Sequence, residues 1–281
     1  MQARNIDEVV HLMDQIIDHS ITRGQRLAYF TALYRLVTLV VRQACDDNHF
    51  EDNDRMRELD TIFANRYFEA VAVHQAGREP TASWAVAFQA TEVPHLLIMQ
   101  HLLLGMNAHI NLDLGISAAE ISGGVLSPGL RRDFDKLNDI LASLIDIVQD
   151  QIGLVSPWFG TLERATWRAD ELLVNFSINT ARDGAWRFAE RLIQTPGAER
   201  EGCILARDAQ VARLGHHIAR TSFPLAALVR VISLREEKDI RRVIAALGNT
   251  DWRRTLEYHV DDLRAAAAQM GIELPRSARD L

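Results

Sequence analysis

Cysteine is nearly absent: Cys45 and Cys203 are the only two in the chain and stand far apart, which excludes a disulfide framework and a cysteine metal cluster. A reducing, cytoplasmic setting is therefore expected. Glycine and proline are also sparse, at 15 and 7 among 281 residues, and no Ser/Gly/Pro-rich linker separates one half from the other. The chain lacks a basic stripe as well. Its 31 basic and 38 acidic residues are interspersed and leave a net charge of −7, so no nucleic-acid partner is expected, since binding a phosphate backbone requires clustered positive charge. The opening stretch "MQARNIDEVVHLMDQIIDHS" has neither the basic start nor the continuous apolar core of a secretory signal. No apolar run approaches the roughly 18 residues of a membrane span; "LVTLVV" is short and "HLLIMQHLLLGM" is interrupted by polar groups. Alternating strand patterns are missing too.

What remains is helical periodicity. In "RDFDKLNDILASLIDIVQDQ" the apolar residues Leu137, Ile140, Leu141, Leu144, Ile145 and Val148 recur at three-and-four spacing, the mark of one buried helix face. Ser127 and Pro128 precede them as N-cap and first helical residue. Prolines at 80 and 94 suggest two further starts. The pattern predicts an all-α protein, one bundle-like domain of about ten helices at 5–19, 24–47, 54–77, 82–90, 94–112, 128–151, 162–194, 199–219, 224–247 and 250–269. Residues 1–249 form the body in this reading, and 250–281 a terminal helix with a polar tail packed on it. The globular composition, 48% hydrophobic and 25% charged, agrees.

One stretch breaks the apolar monotony: "HLLLGMNAHINLDLGISAAE", residues 101–120. On a helix His109 and Asp113 are four apart, about 40° and about 6 Å, hence neighbours. They are the candidate ligands for one divalent metal ion (zinc, iron or manganese). A carboxylate in a last helical turn opposes the macrodipole unless a cation compensates. Asp113 has a second reading, as a cap for the next short turn after Gly115, and "SAAE" has capping-box spacing. His101, eight residues before His109, is roughly 12 Å away along the axis, so it would serve a second metal, the substrate, or general-base chemistry. Gly105 and Ala108 remove bulk from the same broad face, leaving room for a helix, cofactor or ligand. Asn107 and Asn111 are also four apart but turned away from His109, and are candidate substrate-binding groups.

Other polar residues sit inside apolar patterns. Asp135 and Asp170 are candidate catalytic carboxylates reaching in from neighbouring helices. Arg182 has the planar fork that clamps a carboxylate or phosphate, with an internal salt bridge as its plainer role. "FANRYFEAV" offers Arg66 and Tyr67, with Asp60 one or two turns earlier, and Tyr67 joins the candidate substrate contacts. The acids Asp133 to Asp139 crowd the first turns of their helix, where the dipole favours them.

"LDTIFANRYFEAV", "HLLLGMNAHINLDLGISAA", "RRDFDKLNDIL" and "LLVNFSINTARDGAWRFA" resemble, in this order, the bacterial family known as domain of unknown function 5995, over roughly residues 20 to 245. The resemblance implies a helical domain, supplies no reaction, and points to His101, Asn107, His109, Asn111 and Asp113. "HINLD" also resembles the histidine-three-aspartate spacing of zinc-dependent phospholipases C and single-strand nucleases. Those enzymes carry another histidine six residues past the aspartate, where this chain has Ala119, and a further histidine-three-acid pair that this chain lacks, departures that speak against their trinuclear cluster and leave a one- or two-metal site open.

The expected function is a metal-dependent hydrolase acting on an ester or phosphoester of a small or lipid-like substrate, because a metal held by histidine and carboxylate activates water. The alternatives are a non-haem iron oxygenase in a helical bundle and a metal-free protein or cyclase with a pocket for an apolar ligand. The expected partner is thus the small-molecule or lipid-like substrate, with a homodimer left open.

Overall fold

A computed structural model describes residues 1–156, 178–220 and 225–248, and every regular element among them is a helix. The N-terminal part runs α1 (Ile6–Arg23), α2 (Ala28–Asp46), α3 (Asn53–Gln75), α4 (Ala82–Thr91) and α5 (Ile98–Ala108). A π-helical turn (His109–Asp113) then leads without a break into α6 (Leu114–Ile121). After these come α7 (Pro128–Ser143), α8 (Ile145–Val155), α9 (Ile178–Gln194), α10 (Arg200–Ala219), α11 (Leu225–Ser233) and α12 (Ile240–Leu247). The helices share one main core, in which Val9, Met13, Phe30, Phe68, Leu102 and Val243 are buried together. α12 closes the body by packing on α2 and α8. No helix among the described residues is long and apolar enough to cross a membrane.

Several starts follow local rules. Asn5 accepts from the Glu8 amide at the head of α1, Asp52 from the Arg55 amide at α3, and Ser127 from the Leu130 amide at α7, each satisfying a donor that a helix start leaves open. Other starts are capped from a distance by buried acids. Asp208 on α10 accepts from the Ala82 and Ser83 amides that open α4. Glu236 accepts from the Ile98 amide that opens α5, and from the Ser156 hydroxyl. Asp133, expected to serve its own helix, instead accepts from the Glu51 and Asp52 amides ahead of α3 and from Arg55. Positive helix ends thus hold the carboxylates that tie remote elements together.

The boundaries differ from the sequence pattern in informative places. The central helix begins at Ile98 rather than at Pro94, because Gln100 reaches back to accept from the Leu97 amide while donating to the Ile218 carbonyl. It also does not end near Gly115. That glycine lies inside α6 against α9, where an added Cβ would come within 2.8 Å of the Ala185 carbonyl oxygen. Ser117 is no cap either; its hydroxyl donates back to the Asp113 carbonyl. The pattern at 128–151 divides at Leu144 and that at 224–247 between Ser233 and Ile240. The helix expected at 162–194 is seen from Ile178 onward, and the segment 250–281 lies outside the described residues.

Candidate functional site

His109 and Asp113 are the first and last residues of the π turn. A π turn closes i→i+5 and so takes more residues per revolution. Residues four apart, about 40° past a full turn in an α-helix, come closer to eclipsing. The imidazole Nδ1 lies 3.1 Å from Asp113 Oδ2. Trp84 on α4 donates its indole N–H to the same oxygen at 2.9 Å, and Arg66 on α3 donates Nε–H to Oδ1 at 3.0 Å. Asp113 is 1% exposed and accepts from three donors on three elements. Its carboxylate needs a proton on the facing nitrogen, which assigns the proton to Nδ1 and leaves Nε2 as an acceptor. Burial pushes the His109 pKa down against the pull of Asp113, so the ring is neutral. Phe63 stacks flat on it, with centroids 3.5 Å apart, and Tyr34 meets it edge-on at 4.5 Å.

His109 Nε2 is buried and has no protein partner. The ring lines a cavity of about 430 Å³, whose walls also include Leu33, Met99, Leu103, Ile110 and Leu141. That volume falls within the roughly 300–1,000 Å³ of small-molecule sites. The wall is mainly apolar but holds further buried polar atoms without partners: the Tyr34 hydroxyl, Asp60 Oδ2 and Arg182 Nε. Burial raises the Asp60 pKa to about 7, and raises that of Tyr34 well above the usual phenol value, with the charges of Asp60 and Asp113 adding to it. Arg182, on α9, is lowered to about 10 by burial. It donates from Nη2 to the Phe134 carbonyl at 2.8 Å, and its guanidinium covers the Phe134 ring at 4.8 Å.

Of the remaining expected site residues, Tyr67 meets the His109 ring edge-on at 6.1 Å, and the other described ones make their contacts elsewhere. His101 is buried edge-on to Tyr29, with neither ring nitrogen partnered, beside a water-sized hole of about 20 Å³ that Arg26 and Gly105 also line. Burial drives its pKa to about 3. The room expected at Gly105 is filled by Phe30, whose ring an added Cβ would overlap. Asn107 donates to the Val211 carbonyl at 2.9 Å and accepts from Asn111 at 3.1 Å, so this pair fastens the central helix to α10. Tyr67 shares its hydroxyl hydrogen bond with Thr31 at 2.6 Å. Asp135 accepts from Arg131 at 3.0 Å on a half-exposed face. Asp170 lies outside the described residues.

The donor set around the expected metal pair does not fit a shared ion. Both oxygens of Asp113 already accept N–H donors, and the imidazole turns Nδ1 toward them. Among the described residues, no group of three His, Cys, Asp or Glu side chains is placed to hold a metal. The two groups do converge, on each other. Sequence reasoning named Arg66 and Asp60 only in passing and passed over Trp84, Tyr34 and Phe63. The indole N–H of Trp84 was a usable signal, since a buried tryptophan seeks an acceptor.

Residues 6–221, spanning every side chain of this cluster and cavity wall, match the family described as Family of unknown function (DUF5995). The chain belongs to DUF5995. No curated protein and no solved structure matches it. Membership in DUF5995 brings no reaction with it, so the chemistry rests on the cavity and on the His109 ring in its wall.

Proposed function

We propose that the protein takes an apolar small molecule into the cavity and hydrolyses an ester bond in it, with His109 as general base. One observation carries this reading: the buried His109 is held through Nδ1 by Asp113, Nε2 has no protein partner, and the ring forms part of the cavity wall. Nε2 takes a proton from the attacking water, Asp113 stabilises the imidazolium so formed, and the imidazolium returns the proton to the leaving alkoxide. Asp60, with its pKa near 7, is half protonated at neutral pH, and its protonated form donates a hydrogen bond to the ester carbonyl oxygen as charge develops there. The apolar wall supplies binding energy of about 25 cal/mol per Å² of substrate surface removed from water. Because Asp113 has committed both oxygens, the free Nε2 favours proton transfer over joint metal coordination in a hydrolase or an iron oxygenase.

The test is hydrolysis of p-nitrophenyl esters of increasing acyl length by the full chain, before and after dialysis against a chelator. Rates should rise with chain length until the cavity is filled and should survive chelation, while His109→Gln should lower kcat by about 100-fold or more. Loss of activity on chelation with recovery on added zinc, manganese or iron would restore the metal hydrolase. Ester binding without turnover by the wild type would make the cavity a carrier site.

A further inference from the structure

We infer that the molecule held in this cavity carries an acidic head, a carboxylate or a phosphate, and that Arg182 receives it. The inference deepens the reading of the cavity given above and rests on it. Arg182 is 3% exposed, and its Nε belongs to the buried polar atoms that lack a partner. Its other contacts are with neutral groups, the Phe134 carbonyl and the Phe134 ring. Among the described residues no carboxylate forms an ion pair with it. The nearby acids Asp135 and Asp183 favour its charged form from a distance but make their ion pairs with Arg131, at 3.0 and 3.5 Å.

Asp60 does not fill the role. Its carboxyl is shifted up by burial, and no described residue, Arg182 included, forms an ion pair with it. A guanidinium taken out of water without a counter-charge is costly, and its fork of N–H donors matches the paired oxygens of an acid. An anion at the Asp60 end would meet a carboxyl that itself ionises near neutrality. At Arg182 it meets a cation with which no described carboxylate forms an ion pair. In this reading the acidic head lies on Arg182 and the apolar stem runs along the wall that His109, Tyr34 and Asp60 also line.

Calorimetric titration of the full chain with decanoate, decyl phosphate and decanol, at about pH 7.5 where the acids are ionised, tests this. The two acids should bind on the order of 30-fold more tightly than decanol, the worth of one charge-assisted contact. In Arg182→Met that preference should shrink to about threefold or less, and Arg182→Lys should recover part of it. If Arg182→Met fails to fold by circular dichroism, the wild-type comparison of acid with alcohol still decides. Equal binding of acid and alcohol by the wild type overturns the assignment to Arg182 but leaves the cavity as a ligand site. Failure of all three probes to bind overturns the cavity reading and this inference with it.

Discussion

Asp60 sets a measurable pH dependence. Its carboxyl is buried in the wall of an apolar cavity with Oδ2 unpartnered, and its pKa rises from 3.8 to about 7. Each pH unit of that interval costs about 1.4 kcal/mol, so an ionised Asp60 weakens the fold by on the order of 4 kcal/mol, an upper bound if water enters the cavity. The sign follows from proton counting: between pH 3.8 and 7 the folded protein holds a proton that the unfolded chain has released. The contribution is intact below the ordinary carboxylate range and is lost as pH rises through 7. Asp60→Asn keeps the shape and removes the titration. Urea denaturation followed by circular dichroism, on both proteins from about pH 4 to 8, isolates the effect, because groups far from Asp60 titrate alike in both and cancel in the difference. The variant should match the wild type at the acid end and exceed it by about 3–4 kcal/mol at the alkaline end. A gap that stays constant across the range would refute the argument.

Asp113→Asn leaves three N–H donors competing for one oxygen. It should cost roughly 2–4 kcal/mol in urea denaturation, the lower part applying because Arg66 keeps some contact with water, and should disturb the imidazole tautomer seen by nitrogen NMR. Gly105→Ala places a methyl against the Phe30 ring and should destabilise by about 1–3 kcal/mol, as overpacking does; an unchanged midpoint would mean that α2 yields there freely. Asp133→Ala strips the Glu51 and Asp52 amides and Arg55 of their acceptor. It should cost roughly 3 kcal/mol, with hydrogen exchange rising first at the start of α3.

The helical class was legible because three-and-four spacing of apolar residues needs no tertiary information, and Ser127 marked its helix start for the same local reason. The meeting of His109 with Asp113 was legible too, since four residues make nearly one turn. Their partners were not: Arg66 and Trp84 come from α3 and α4, 47 and 29 residues away, and no spacing rule encodes that convergence. Pro94 misled because a side chain further on, Gln100, decides where the helix opens. Ser117 misled because capping-box spacing also arises inside a continuous helix, where serine simply bonds backward. The cavity was illegible for another reason. Its wall is assembled from residues between Phe30 and Arg182, each of which reads alone as ordinary core.

The π turn makes residue count, as well as residue identity, a property of the central helix. Upstream of it Gly105 admits Phe30 from α2; downstream Gly115 admits α9. A uniform α-helix of the same length would aim these two notches differently, so the wide turn acts as a phase adjuster between two neighbours fixed by the rest of the bundle. Because a π turn holds more residues than the α turn it replaces, losing one residue from 109–113 would be absorbed by closing the turn as ordinary α-helix, whereas adding one would rotate everything beyond it by about 100° and swing Gly115 away from α9. The same lengthening in the loop at 122–126 would leave both notches in place. For this protein, a one-residue insertion between His109 and Asp113 is a heavier lesion than most substitutions there.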